Sequence, residues 1–289
     1  MGTSNLYKGP KGSSLLPADY TGNLDDEQPV AAPDDKAPEG ERPENEEPEN
    51  ETSAEEENSE QEEPQQNERP RVTWTQAKRT FSSQIGKRSP NVRWVAKTYT
   101  RASGGYKHAA KTSGSAKRVA RGIITFFSGT SESIRQRLEQ IGIAFDGRST
   151  QEIFDDIYSH LSTGASSRED AVADKALSQT FSELFESELM TEQGLDVFKP
   201  ELLEFLVSHF VANSIYYRLL NEVSFGELTG NKSNDDIARI EEDLKTFIDG
   251  LVSGRVPEYL HEGITTNEVN SLVDNLYEDC YKVMEGIAE

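Results

Sequence analysis

Apolar residues recur at helical spacing through most of the chain beyond residue 150. Ile153, Phe154, Ile157 and Leu161 share one face of a 3.6-residue repeat, as do Leu177, Phe181, Leu184, Phe185 and Leu189. Leu203, Leu206, Phe210, Tyr217 and Leu220 form a third stripe, widened by Leu202, Phe205 and Val211. It starts just after Pro200, a residue suited to the first helical turn, and its breadth predicts the central helix. A fourth stripe comprises Ile237, Ile240, Leu244, Phe247, Ile248 and Leu251, with Ser233 or Asn234 as N-cap. Val269, Leu272, Val273, Leu276, Cys280, Val283 and Ile287 form the fifth. The two-residue alternation of strands is nearly absent. The pattern therefore predicts an all-α fold, a helical bundle of five or six helices from about Ser131 onward.

Upstream, shorter helical patterns cover Trp74 to Ile85, Val92 to Tyr99 and Ala116 to Phe127. Glycines at 86, 104, 105, 114 and 122 interrupt them, which predicts short helices. Before Val72 the apolar repeat stops. Residues 25 to 69 hold nineteen acids against Lys36, Arg42 and Arg69, with prolines at 29, 33, 38, 43, 48 and 64 and no aromatic residue. Such a stretch cannot bury enough apolar surface to offset its ordering entropy, so it is expected to be disordered and extended. The first 24 residues are rich in Gly, Ser and Pro and read as an extended peptide. Four segments follow: an N-terminal peptide (1–24), a disordered acidic Pro/Glu-rich linker (25–70), a basic segment with short helices (71–130) and an acidic helical domain (131–289).

Charge sharpens this division. The chain carries a formal net charge of −22, but residues 70 to 131 contain thirteen Lys or Arg and no acid. Residues 25 to 69 sum to −16 and residues 132 to 289 to −20. Trp74, Phe81, Trp94, Tyr99, Tyr106, Phe126 and Phe127 interleave with the cations. Two readings stand side by side. The aromatics can dock the basic segment on the acidic helices, or cations and aromatics together can bind nucleic acid by phosphate contact and base stacking. On the second reading the contacts come from Lys78, Arg79, Lys87, Arg88, Arg93, Lys97, Arg101, Lys107, Lys111, Lys117, Arg118 and Arg121.

No catalytic constellation has its required spacing. Gly86-Lys87 is followed by Arg88, and Phe81 stands where a phosphate loop needs its first glycine. The four histidines, His108, His160, His209 and His261, are isolated from one another, and no metal or other cofactor is expected. His209 beside Phe210 reads as a core or interface residue, and Cys280 on an apolar stripe reads as a buried thiol. One cysteine allows no internal disulfide, and no run is long and apolar enough for a membrane span. Leu6 replaces the Ser or Thr of a myristoylation signal, so neither an anchor nor a membrane partner is expected, and the cytoplasm is the expected compartment. The chain is expected not to be an enzyme.

Met1-Gly2-Thr3-Ser4, Gly9-Pro10, Gly12 and Leu15-Leu16-Pro17 resemble the start of the QatB component of the bacterial Qat anti-phage defence system. Ser14 stands where that pattern has Pro, and Tyr20 where it has Trp. The layout beyond, a low-complexity stretch, a basic segment and a helical C-terminal half, is also similar. The resemblance implies a non-catalytic component working with a P-loop ATPase, a QueC-like enzyme and a TatD-like nuclease. QueC-like enzymes activate a carboxylated deazapurine with ATP and pass it to an amine. With Met1 removed, Gly2 offers an unhindered α-amine of ordinary pKa about 8, nucleophilic in its neutral fraction. The resemblance thus makes Gly2 an expected modification site. Thr3, Ser4, Gly9, Pro10, Leu15, Leu16 and Pro17 become the peptide that reaches the partner enzyme.

Overall fold

Polar side chains set the helix starts. Thr73 and Gln76 form a capping box at the head of α1 (Trp74–Gln84), and Asn91 caps α2 (Val92–Ala102). Ser149 and Glu152 repeat the box at α6 (Thr150–Leu161). Ser167 and Ser233 accept the N–H groups of Asp170 and Asp236, opening α7 (Arg168–Glu186) and α10 (Asn234–Ser253). Between these lie α3 (Tyr106–Lys111), α4 (Gly114–Phe127) and α5 (Ser131–Gln140). The remainder are α8 (Pro200–Glu222), α9 (Phe225–Thr229), α11 (Val256–Tyr259) and α12 (Thr266–Glu285). This computed structural model describes residues 72–144, 147–191, 200–260, 264 and 266–287. The acidic linker and the N-terminal peptide lie outside them.

The fold is all-α, and among the described residues no strand occurs. Among the described residues from Ser131 onward six longer helices, α5, α6, α7, α8, α10 and α12, occur with the short α9 and α11, matching the bundle that the stripes predict. Helix α8 is central, packing against α7, α10 and α4. Seven consecutive residues, from Phe210 to Tyr216, are buried, so its middle is covered on all sides. The basic helices belong to the same core. Phe81, Val95, Tyr99, Ile123 and Ile124 are buried in one cluster with Leu206, Phe210, Leu244 and Tyr281. The change of charge near residue 131 is thus not a packing boundary, and every described residue falls in the compact unit Glu62–Glu289.

Some expected details move. Helix α7 stops at Glu186, and Leu189 falls in a separate 3₁₀ turn, Glu188–Thr191. Helix α12 stops at Glu285, because Gly286 adopts φ +76° and turns the chain before Ile287. Gly122 sits inside α4 without breaking it: Leu161 Cδ2 lies 2.6 Å from where its Cβ would be, so helix α6 packs into the missing side chain. Cys280 is buried on α12 as expected, and burial, with Asp279 beside it, pushes its thiol up to about 12.

Candidate functional site

Gly2, Thr3, Ser4, Gly9, Pro10, Leu15, Leu16 and Pro17 lie outside the described residues. The twelve candidate phosphate-binding cations are all described, and the fold divides them. Lys117 and Arg121 both meet Asp274 of α12 at 2.9 Å, and Lys117 is buried. Arg118 meets Asp170 of α7 at 2.9 Å, and Arg101 lies 3.8 Å from Glu285. Lys78 donates to Ser224 at 3.0 Å. These five are engaged by the helices they pack on, as the docking reading has it. Arg79, Lys87, Arg88, Arg93, Lys107 and Lys111 are exposed and Lys97 half-exposed, without an acidic partner among the described residues.

Behind the first group sits a buried arginine, Arg218, near the end of α8. Its Nε donates to Glu222 at 2.9 Å, and Nη2 donates to Thr112 at 2.7 Å. Nη1 donates to the Ala109 carbonyl at 2.8 Å and to Ser113 Oγ. One guanidinium therefore ties α8 to the α3–α4 corner. Tyr99 of α2 donates to the other oxygen of Glu222 at 3.0 Å. Burial, with Tyr281 and Glu222 nearby, pushes the Tyr99 hydroxyl well above its ordinary value and keeps it a donor.

A cavity of about 970 Å³ adjoins this cluster, lined among others by Trp74, Arg101, Gly105, His108 and Arg168. Gly104 and Gly105 both have positive φ, +93° and +87°, which lets the chain turn from α2 into α3. Glu285 then accepts the Tyr106 N–H at 2.9 Å, fixing α3 to the end of α12. The acids at this cavity are engaged in the fold: Glu222 and Glu285 as above, and Glu169 by accepting the Ser115 N–H at 2.9 Å.

Asp170 organises a second polar centre. Buried at the start of α7, it accepts from Ser115 at 2.7 Å, from Ser166 and Ser167 at 2.8 Å each, and from Arg118. The hydroxyls of Ser115, Ser166 and Ser167, more than Arg118, hold its carboxyl far below the ordinary value of 3.8. A depressed carboxyl contributes stability that is present above the unfolded value and is lost as pH falls. Asp170→Ala is expected to lower the Tm by roughly 5 °C at neutral pH, with the deficit shrinking below about pH 4 as the parent weakens. Thermal melts across pH decide it. A deficit constant down to about pH 3 is incompatible with the ionised carboxylate as the cause.

His209 is half-exposed and hydrogen-bonded, its Nδ1 2.6 Å from Glu183, while Asn213 donates to the same oxygen at 3.2 Å. Among the described residues no cluster of three or more His, Cys, Asp or Glu could hold a metal ion. No described helix is long and apolar enough to cross a membrane.

Of the second group, Arg93 and Lys97 border a different feature, an open groove of about 1060 Å³ between α2, α10 and the end of α12. Trp94 stands in it 45% exposed, more than Trp74 or Ile141. Arg93 lies over the Phe247 ring, 5.9 Å from its centre, and Lys97 lies against Gly286. Phe247, Leu251 and Val283 fit the apolar stripes of the sequence, yet they are half-exposed and line this groove. The acids of α10, from Asp235 and Asp236 to Glu241, Glu242, Asp243 and Asp249, are not among the groove residues. That helix offers Thr246, Phe247, Gly250 and Leu251, with Gly254 just beyond its end. Arg255 adds a third cation, paired at 3.4 Å with Glu258, the single acid among the described residues of the lining. Sequence reasoning missed Phe247 and Arg255 here and Arg218 in the core. Only Arg218 gave a signal, as the lone Arg or Lys in the most apolar helix.

Fold and surface together describe an all-α scaffold whose polar clusters join helices and whose cationic, partly apolar groove stays open. The model of the Qat anti-phage system associated protein QatB matches residues 104–284, and the chain belongs to that family. The match begins at the Gly104-Gly105 turn and takes in the Arg218, Asp170 and Glu183 clusters. No curated protein and no solved structure matches the chain.

Proposed function

We propose that this chain is a non-catalytic interaction component of the Qat anti-phage system that presents its N-terminal peptide, through the Gly2 amine, to a QueC-like partner enzyme. Family membership supports a role within the system. The observation that supports interaction rather than catalysis is the use of the polar clusters. Arg218 with Glu222, Asp170 with its three serines, and Glu183 with His209 spend their hydrogen-bonding capacity on joining one helix to another. On this reading the QueC-like enzyme, the P-loop ATPase and the TatD-like nuclease supply the chemistry.

Co-expression with the QueC-like enzyme, followed by intact mass measurement and peptide mapping, tests the presentation. The expected result is a mass gain confined to the N-terminal peptide, absent when the partner is left out. An N-terminal peptide of unchanged mass under both conditions removes the modification. Purification from the intact operon is expected to bring the partners with the chain, and its isolation alone removes the interaction.

A further inference from the structure

We infer that the groove between α2, α10 and the end of α12 binds single-stranded nucleic acid, with Trp94 as the stacking surface and Arg93 and Lys97 on the phosphates. This inference does not depend on modification of Gly2. Three observations converge on it. The groove carries Arg93 and Lys97 with no acidic partner among the described residues, and its third cation, Arg255, balances Glu258, the one acid of the described lining, in a chain of net charge −22. Local charge of that sign, in a molecule whose total charge repels polyanions, marks a stretch of surface where an anion gains by docking. Helix α10 lines the groove with the small or apolar Thr246, Phe247, Gly250 and Leu251, and its nearest acid on that face, Asp243, lies one turn earlier, beyond the described lining. Finally, Trp94 lies between Arg93 and Lys97 in sequence and is left 45% exposed, although burying such a ring contributes strongly to stability.

An unpaired base offers a planar face to an indole while its phosphate reaches a neighbouring cation, the combination used by sequence-tolerant single-strand binders. Duplex hides the base faces in its stack and leaves Trp94 nothing to cover. An acidic peptide satisfies the cations but brings no planar group. Phe247, under the Arg93 guanidinium, extends the apolar floor beside Trp94.

Anisotropy of a labelled short oligothymidylate, titrated with the full chain at several salt concentrations, tests the site. Binding is expected at low salt, with log affinity falling against log salt at a slope of about −1.4 for two phosphates. Trp94→Ala is expected to weaken binding about tenfold or more, and Trp94→Phe to restore most of it, since either ring stacks. Trp94 is too exposed for its loss to unfold the protein, which a thermal melt of each variant verifies. Arg93→Ala and Lys97→Ala are each expected to reduce the slope by about 0.7. Lys107→Ala and Lys111→Ala, exposed on α3 and not part of the groove lining, are expected to leave affinity within about twofold. Three results overturn the inference: no binding at the lowest salt, Trp94→Ala without effect, or equal weakening by the α3 variants. Displacement of the oligonucleotide by polyglutamate as readily as by unlabelled strand, independent of Trp94, overturns it too and assigns the groove to acidic peptide instead.

Discussion

Replacing Arg218 with Met is expected to lower the unfolding free energy by about 2–4 kcal/mol, because it removes a buried guanidinium that serves four acceptors and leaves the half-buried Glu222 without its ion-pair partner. The Arg218 side chain is only 12% exposed. Its loss strands the Glu222 carboxylate with Tyr99 as sole remaining partner among the described residues, and takes a donor from Thr112, Ser113 and the Ala109 carbonyl. Lys at this position retains charge but presents a single ammonium where a planar fork meets four acceptors, so Arg218→Lys is expected to recover less than half of the loss. The pair as a whole is another matter. The double variant Arg218→Met/Glu222→Leu leaves no stranded charge, and it is expected to lose less than Arg218→Met alone. Urea unfolding of the three variants measures this directly. A loss below about 1 kcal/mol for Arg218→Met contradicts the role assigned to the guanidinium.

Why Arg218 escaped the sequence reading, while the helix carrying it did not, shows what one-dimensional pattern can hold. Apolar periodicity reports which face of a helix avoids water, and it located α6, α7, α8, α10 and α12 because each buries such a face. Periodicity does not report what covers that face. Phe247 and Leu251 have the spacing of core residues, and only packing reveals that α2 stops short of covering them. Helix α3 was invisible for a related reason: six residues carrying Lys107, His108 and Lys111 have little helical signal. What fixes them is the Glu285 carboxylate on the first N–H, contributed by a residue 179 positions away. The cations show the same limit. All twelve are plain in the sequence, but whether each is spent or open depends on acids such as Asp170 and Asp274, which lie 52 residues from Arg118 and 153 from Arg121. Of the candidate site, the residue types of the basic half were legible. The selection among them and the contribution of α10 were not.

A chain beginning at Gly104, where the family match starts, is expected not to fold, whereas one beginning at Val72 is expected to fold cooperatively. The shorter chain lacks α1 and α2, and with them Phe81, Ile85, Val95 and Tyr99, all buried in the common core. Burying each such side chain contributes about 1.5–3 kcal/mol, so the four together account for roughly 6–12 kcal/mol. A domain's whole margin of stability is about 5–15 kcal/mol, so the loss consumes most or all of it. Further damage follows on the other side of the interface. Helix α2 packs on α12 and α10, so its removal uncovers apolar surface there, and Glu222 loses the Tyr99 hydroxyl. The longer chain keeps the Thr73 cap of α1 and the full core. Circular dichroism and solubility of the two truncations distinguish the cases. A soluble, cooperatively melting chain from Gly104 requires that the basic helices be an accessory to the acidic bundle; failure of that chain, with success of the longer one, makes them part of its core.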